Sequence, residues 1–238
     1  MESLTQVTFS MCDRLESYNC PNSVERLEIS FCNSMTLLTF SAVQENPSPL
    51  TKSIVGDCDN VQLQPKTIPA KDLSLSRLTF LAISYCKNLT SFSHKHFQSL
   101  TSLEELEIHD CPNTDSFPCG VWPPNLRKLM IGMLNKPMSE WGPQSFPTSL
   151  VELFLFGKNS GVVSFAVADD LRNTPSSSSF LLPPSLVSLS LDGFTDVESF
   201  SEVLQHLPCL ERLYIMSCPK ITDLKETSDP SNLTISVF

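Results

Sequence analysis

Nine cysteines and four histidines stand out in a chain of 238 residues as the side chains able to hold a metal, form disulfides or attack a substrate. Zinc needs ligands converging on one point, commonly through Cys-x-x-Cys pairs. The cysteines, at positions 12, 20, 32, 58, 86, 111, 119, 209 and 218, contain no such pair. His94-x-His96 is the one close histidine pair and reads as a solvated loop. Asp169-Asp170 is a lone acidic pair that reads as a loop tip. His109 reads as a surface histidine in an acidic patch. No phosphate-binding glycine loop, G-x-S-x-G elbow or H-E-x-x-H helix occurs. No catalytic, cofactor-binding or metal-binding residue is assigned, and the chain is not expected to be an enzyme.

Six of the cysteines instead share one place in a repeat. The pattern Leu-x-x-Leu-x-Ile-x-x-Cys-x-x-Leu is clearest at Leu78, Leu81, Ile83, Cys86, Leu89, at Leu103, Leu106, Ile108, Cys111, and at Leu210, Leu213, Ile215, Cys218, Ile221. Val24 to Met35 and Leu4 to Leu15 fit it too, with Cys32 and Cys12 in the cysteine slot. Weaker copies begin at Leu50 (with Ser53 in a leucine slot and Cys58), Leu126 (Leu134 in the cysteine slot), Leu150 (Lys158) and Leu186 (Phe194). Successive copies start 20, 26, 28, 25, 23, 24, 36 and 24 residues apart. Cys20, Cys119 and Cys209 lie off the slot, with no assigned role.

The Leu-x-Ile alternation has period two, so both apolar side chains face one side of a short strand. One such coil cannot cover its own apolar face, so neighbours must stack. The expected fold is α/β: a leucine-rich-repeat solenoid, or horseshoe, of about nine repeats. Its parallel sheet lines the concave face and its convex side is irregular or short-helical. Equivalent cysteines then form an interior ladder of small, mostly apolar side chains. Pro21, Pro49, Pro124, Pro147, Pro184 and Pro208, each one to three residues before the first apolar residue of a copy, end the convex segment. Ser201 to Leu207 is expected as a short convex helix with Ser201 as N-cap. Gly157 to Pro184, with four serines at 176–179, is expected as a projecting loop insertion within a single domain over 1–238; Val162 to Leu171 could add a short strand or helix there.

Composition agrees with a packed repeat: 41% of residues are hydrophobic and 18% charged. A net charge of −10 argues against a nucleic-acid groove. Only seven glycines set against 18 prolines leave little material for glycine-rich phosphate loops. No apolar run is long enough to span a membrane. Without a secretory signal at the N-terminus, a reducing, cytoplasmic location is expected, and Asn88-Leu89-Thr90 and Asn232-Leu233-Thr234 are chance matches to a glycosylation pattern.

Function then falls to the strand residues that point away from the core. Reading them along the chain places an acidic rung at Glu105 and Glu107, two aromatics at Phe154 and Phe156, and Lys128, Met130, Arg212, Tyr214 and Met216 within a few rungs. An aromatic and methionine patch rimmed by charge is the expected partner-binding surface. The competing reading has the serine-rich loop fold over Phe154 and Phe156 and bury them.

The rungs ending in Cys111-Pro112-Asn113 and Cys218-Pro219-Lys220-Ile221, with the strand entries Pro183-Pro184-Ser185-Leu186, Phe146 to Leu150 and Leu100 to Leu106, resemble the C-terminal repeats of plant intracellular disease-resistance proteins, which carry a coiled coil, a nucleotide-binding switch and leucine-rich repeats. The resemblance covers nearly the whole chain. It implies a recognition and autoinhibition module in innate immunity, whose protein partner is a pathogen effector, a host guardee or its own nucleotide-binding module. ADP or ATP would belong to that module, which this chain lacks. The first rung begins at Leu4 with no polar cap before it, so a fragment of a longer chain is expected. The cysteine-containing rung at Leu213 to Asp223 is also similar to the repeats of F-box ubiquitin-ligase adaptors, a second reading. A plain scaffold is the third.

Overall fold

A computed structural model describes residues 4–21, 23–40, 50–63, 77–90, 100–114, 122–141, 144, 146–167, 179–222, 224 and 233–238. His94, His96, Cys119, Asp169, Asp170, Pro49 and Asn232 lie outside the described residues. The strands, numbered in chain order, are β1 Gln6–Ser10, β2 Ser17–Cys20, β3 Arg26–Ser30, β4 Leu37–Phe40, β5 Lys52–Gly56, β6 Gln62–Leu63, β7 Phe80–Ser84, β8 Glu105–Cys111, β9 Lys128–Leu134, β10 Glu152–Phe156, β11 Ser164–Val167, β12 Ser179–Leu182, β13 Ser188–Asp192, β14 Arg212–Met216 and β15 Thr234–Val237. They stack as a parallel solenoid. Its main sheet runs β1-β3-β5-β7-β8-β9-β10-β13-β14-β15.

The register follows the repeat. Leu106 sits between Leu81 and Leu129, and Ile108 between Ile83 and Ile131. These interior side chains are buried almost throughout, each contributing roughly 1.5–3 kcal/mol over an exposed position. The weak copy at Leu50 has a visible defect. Ser53 lies between Leu27 and Leu81, is 1% exposed, and its hydroxyl has no hydrogen-bond partner.

Six main-sheet strands are entered through a tight turn. The amide of the first leucine donates to the carbonyl three residues earlier, as from Leu126 to Pro123, Leu150 to Pro147, Leu186 to Pro183 and Leu210 to Leu207. Pro124, Pro184 and Pro208 occupy the second turn position, where the fixed proline φ is already suitable. Seven main-sheet strands turn at their C-terminal end through a left-handed residue. Met11, Phe31, Asp57, Tyr85, Asp110, Met133 and Ser217 have φ between 52 and 54°, apart from Asp57 at 51°. Such a conformation costs a side-chain-bearing residue about 1–2 kcal/mol. It turns the next residue, the cysteine slot, inward. There the Cys32, Cys58, Cys86, Cys111 and Cys218 thiols each donate to the carbonyl two residues back, at 3.1–3.3 Å. Leucine offers no such donor, which gives cysteine its place. After the slot, asparagines stitch coil to coil: Asn60 Nδ2 donates to the Asn33 carbonyl at 2.8 Å, Asn88 Nδ2 to Asn60 Oδ1 at 2.9 Å, and Asn113 Nδ2 to the Lys87 carbonyl at 2.8 Å.

One rung departs from this rule. Lys158 occupies the slot after β10 and is exposed. The space is filled from the next coil by Phe194, which is fully buried with its ring against Gly157. A Cβ on Gly157 would fall 2.5–2.6 Å from the Phe194 Cδ atoms, so only glycine fits there.

Four expectations change. The fold carries very little helix: Ser201–Leu204 is the one α-helical turn among the described residues, and Met138–Glu140 forms a 3-10 turn, so strand and turn dominate what was expected as α/β. Ser201 is the first helical residue, with Phe200 in the cap position and no side-chain cap bond. The main sheet has ten strands, because Thr234–Val237 pairs with β14 without a Leu-x-x-Leu signature. Away from the main sheet, β2-β4-β6 form a second parallel sheet, so that side is more regular than expected.

The segment 157–184 is also not simply a projecting loop. Its described parts, β11 and β12, pair in parallel and bury Val162, Phe165, Val167, Phe180 and Leu182. Phe165 packs edge-on against Phe194 and Phe200, with ring centroids 5.1 and 5.5 Å apart. Apolar residues flanking the serine run gain more from this burial than from solvent. The buried indoles of Trp122 and Trp141 are satisfied, donating to Gln144 Oε1 and to the Lys136 carbonyl.

Candidate interaction surface

The outward side chains of β8, β9, β10, β13 and β14 form three rows across the sheet. The first is Glu105, Lys128, Glu152, Ser188, Arg212. The second is Glu107, Met130, Phe154, Ser190, Tyr214, and the third His109, Gly132, Phe156, Asp192, Met216. All nine candidate residues, Glu105, Glu107, Lys128, Met130, Phe154, Phe156, Arg212, Tyr214 and Met216, therefore lie on one face. Their register follows from the period-two alternation.

The charges in the first row are matched. Lys128 Nζ is 3.8 Å from Glu105 and Arg212 is 3.7 Å from Glu152. With each partner more than a third exposed, such pairs contribute at most a few tenths of a kcal/mol. They still neutralise half of the expected acidic rung. Glu107 is the member without an ion pair among the described residues.

The aromatic patch is larger than the sequence indicated and extends the other way. Phe154 and Phe156 are half-buried, with ring centroids 4.7 Å apart. The described flanks of the serine-rich segment turn into the core instead of covering them. Phe156 stacks on His109 at 4.5 Å, and His109 meets Tyr85 edge-on at 5.3 Å. Phe156 and His109 belong to strands two apart and touch because Gly132 lies between them. A Cβ there would come within 2.6 Å of Phe156 Cβ. His109 is thus no open surface histidine: it is 9% exposed, held between two rings, and its Nδ1 lies 2.9 Å from Asp110 Oδ2. Tyr85, 48% exposed, was missed because it sits one residue past the alternating strand, at the left-handed exit. Tyr214 and Met216 are separated from the phenylalanines by the small Ser190 and by Asp192, and so border the aromatic run.

Six of the described cysteines, Cys20, Cys32, Cys58, Cys86, Cys111 and Cys218, belong to the interior. Burial pushes the Cys58 thiol up to about 12 and the Cys20 thiol up to about 11. Cys86 is raised as well, first by its hydrogen bond with the Cys111 thiol and then by burial. Cys20 ends β2 and is buried, whereas Cys209 lies exposed in the turn before β14. Among the described residues no three His, Cys, Asp or Glu side chains come together as a metal site, and no helix is long and apolar enough to cross a membrane.

No family model matches the chain. It is 30% identical over 156 residues to the "Putative disease resistance protein At3g14460" of Arabidopsis thaliana, an alignment covering 64% of this chain and 10% of that protein. The chain thus spans about a tenth of the length of this relative. The crystal structure of CroV588, a circular leucine-rich-repeat protein, aligns with 91% of this chain and 46% of its own, at 17% identity and a TM-score of 0.27, a similarity too low to carry any argument. By its own strand pattern and register the chain is a leucine-rich-repeat solenoid, and its sequence resembles part of a plant disease-resistance protein.

Proposed function

We propose that this chain is a non-catalytic protein-interaction module of plant innate immunity. Its outward sheet face receives a pathogen effector or a host protein, and the module helps restrain a nucleotide-binding switch that the chain itself does not contain. It works in the cytoplasm and holds no cofactor of its own. The observation that carries this reading is the aromatic run Tyr85–His109–Phe156–Phe154 across four adjacent strands. The core does not use these side chains, since the interior leucine and isoleucine rows are buried without them. Aromatic side chains on a solvent-facing sheet are typical anchors of protein interfaces.

The test is the double substitution Phe154→Ser with Phe156→Ser. Affinity capture from leaf extract, quantified against the unaltered chain, is expected to lose the specific partner by at least about tenfold, while the unfolding midpoint changes little. A collapse of thermal stability would show the pair to be core. Undiminished capture would remove the sheet face from the interaction.

A further inference from the structure

The strand exits after β7, β8, β9 and β10 enclose a groove of about 640 Å³ along one rim of the sheet. Its apolar lining includes Tyr85, Met133 and Phe156. Lys87, Lys136 and Lys158 line it too, each from a different coil. Asp110 is the one acidic side chain among the lining residues, and it already faces His109 Nδ1 at 2.9 Å. Lys87 pairs with Asp59, but that lysine side chain is 70% exposed. Lys136 and Lys158 are exposed and have no ion pair among the described residues. In a molecule of net charge −10, three lysines around one apolar groove form a local field of the opposite sign.

We propose that this groove docks an acidic segment of a partner protein, with an apolar side chain of that segment seated on Tyr85, Met133 and Phe156 and its carboxylates facing Lys87, Lys136 and Lys158. The inference rests on reading the chain as an interaction module, and it extends that surface onto the rim: the groove shares Tyr85 and Phe156 with the sheet-face run and adds Met133 and the three lysines. Charge complementarity selects the occupant. A basic segment would meet three lysines, and a small anion would leave the apolar lining unused.

The probe is a fluorescein-labelled peptide, Glu-Asp-Glu-Phe-Asp-Glu-Glu, with two controls: a version with lysine at every acidic position and one with serine for phenylalanine. Anisotropy should show saturable binding of the acidic peptide, weakening about fivefold or more between 50 and 250 mM NaCl, and weaker binding of both controls. Lys136→Glu with Lys158→Glu should lower the affinity about tenfold without moving the unfolding midpoint, since both lysines are exposed. Phe154→Ser, outside the groove, should leave peptide affinity within about twofold even though it weakens capture at the sheet face. This separates failure of the groove from failure of the sheet-face reading. The proposal is overturned if the acidic and lysine peptides bind alike, if neither binds, or if the double lysine variant binds the acidic peptide as well as the unaltered chain does.

Discussion

Thiol labelling separates a core ladder from a reactive or disulfide-bonded set of cysteines. Cys209 is exposed and Cys12 half-buried, whereas Cys32, Cys58 and Cys86 are 0% exposed. With its pKa pushed from 9.0 to about 12, Cys58 is thiolate at a fraction of about 10⁻⁴ at pH 8, against roughly a tenth for an unperturbed thiol. Protonation alone thus slows alkylation about a thousandfold, and burial adds the requirement for local opening. Native protein treated with iodoacetamide at pH 8 and mapped by mass spectrometry should label Cys209 first and Cys12 more slowly. The buried ladder cysteines Cys32, Cys58 and Cys86 should label only on unfolding. The same shift sets a pH dependence. Below about pH 9 the folded and unfolded chains both keep the Cys58 proton; above it the unfolded chain loses the proton first. Stability should therefore fall as pH rises from about 9 towards 12, by at most about 1.4 kcal/mol per pH unit from that thiol. Cys32, Cys58 or Cys86 labelling within tenfold of Cys209, or coming out of the native protein as disulfides, would refute the interior ladder.

Two further substitutions test the packing. Ser53→Ala removes a buried hydroxyl with no partner and should stabilise the chain by about 1–2 kcal/mol, or a few degrees in Tm, by thermal denaturation; no gain would mean that the hydroxyl is satisfied. Gly157→Ala places a methyl group against the Phe194 ring and should destabilise by about 1–3 kcal/mol, seen as a lower denaturant midpoint, with Phe194→Leu in the same chain recovering part of the loss.

The fold was legible where chemistry repeats. Leucine at period two and cysteine three residues after the last strand isoleucine fixed the register of β1 to β14 in the main sheet, and hence which side chains face outward. What escaped depends on contacts between coils or on unrepeated side chains. Thr234–Val237 joins the sheet through β14's free edge, with half-buried Ile235 and exposed Val237 in the interior rows. The pairing of β11 with β12 requires two separated apolar clusters, around Phe165 and Phe180, to meet on the same core. Phe194 reads as a poor cysteine substitute until Gly157 and the exposed Lys158 show the space it fills. In the candidate surface, the nine outward residues were readable from alternation. The reach of the aromatic patch to His109 and Tyr85 was not, because it depends on a missing Cβ at Gly132 and on a left-handed turn at Tyr85.

The outward aromatic run, and not the interior, is proposed to meet the partner. Hydroxyl-radical footprinting of the chain alone and with its captured partner tests this most directly. Tyr85, Met130, Phe154 and Phe156 should be oxidised in the free chain and protected in the complex, while buried Met35 stays unmodified in both. Equal oxidation of Phe154 and Phe156 with and without partner would contradict it.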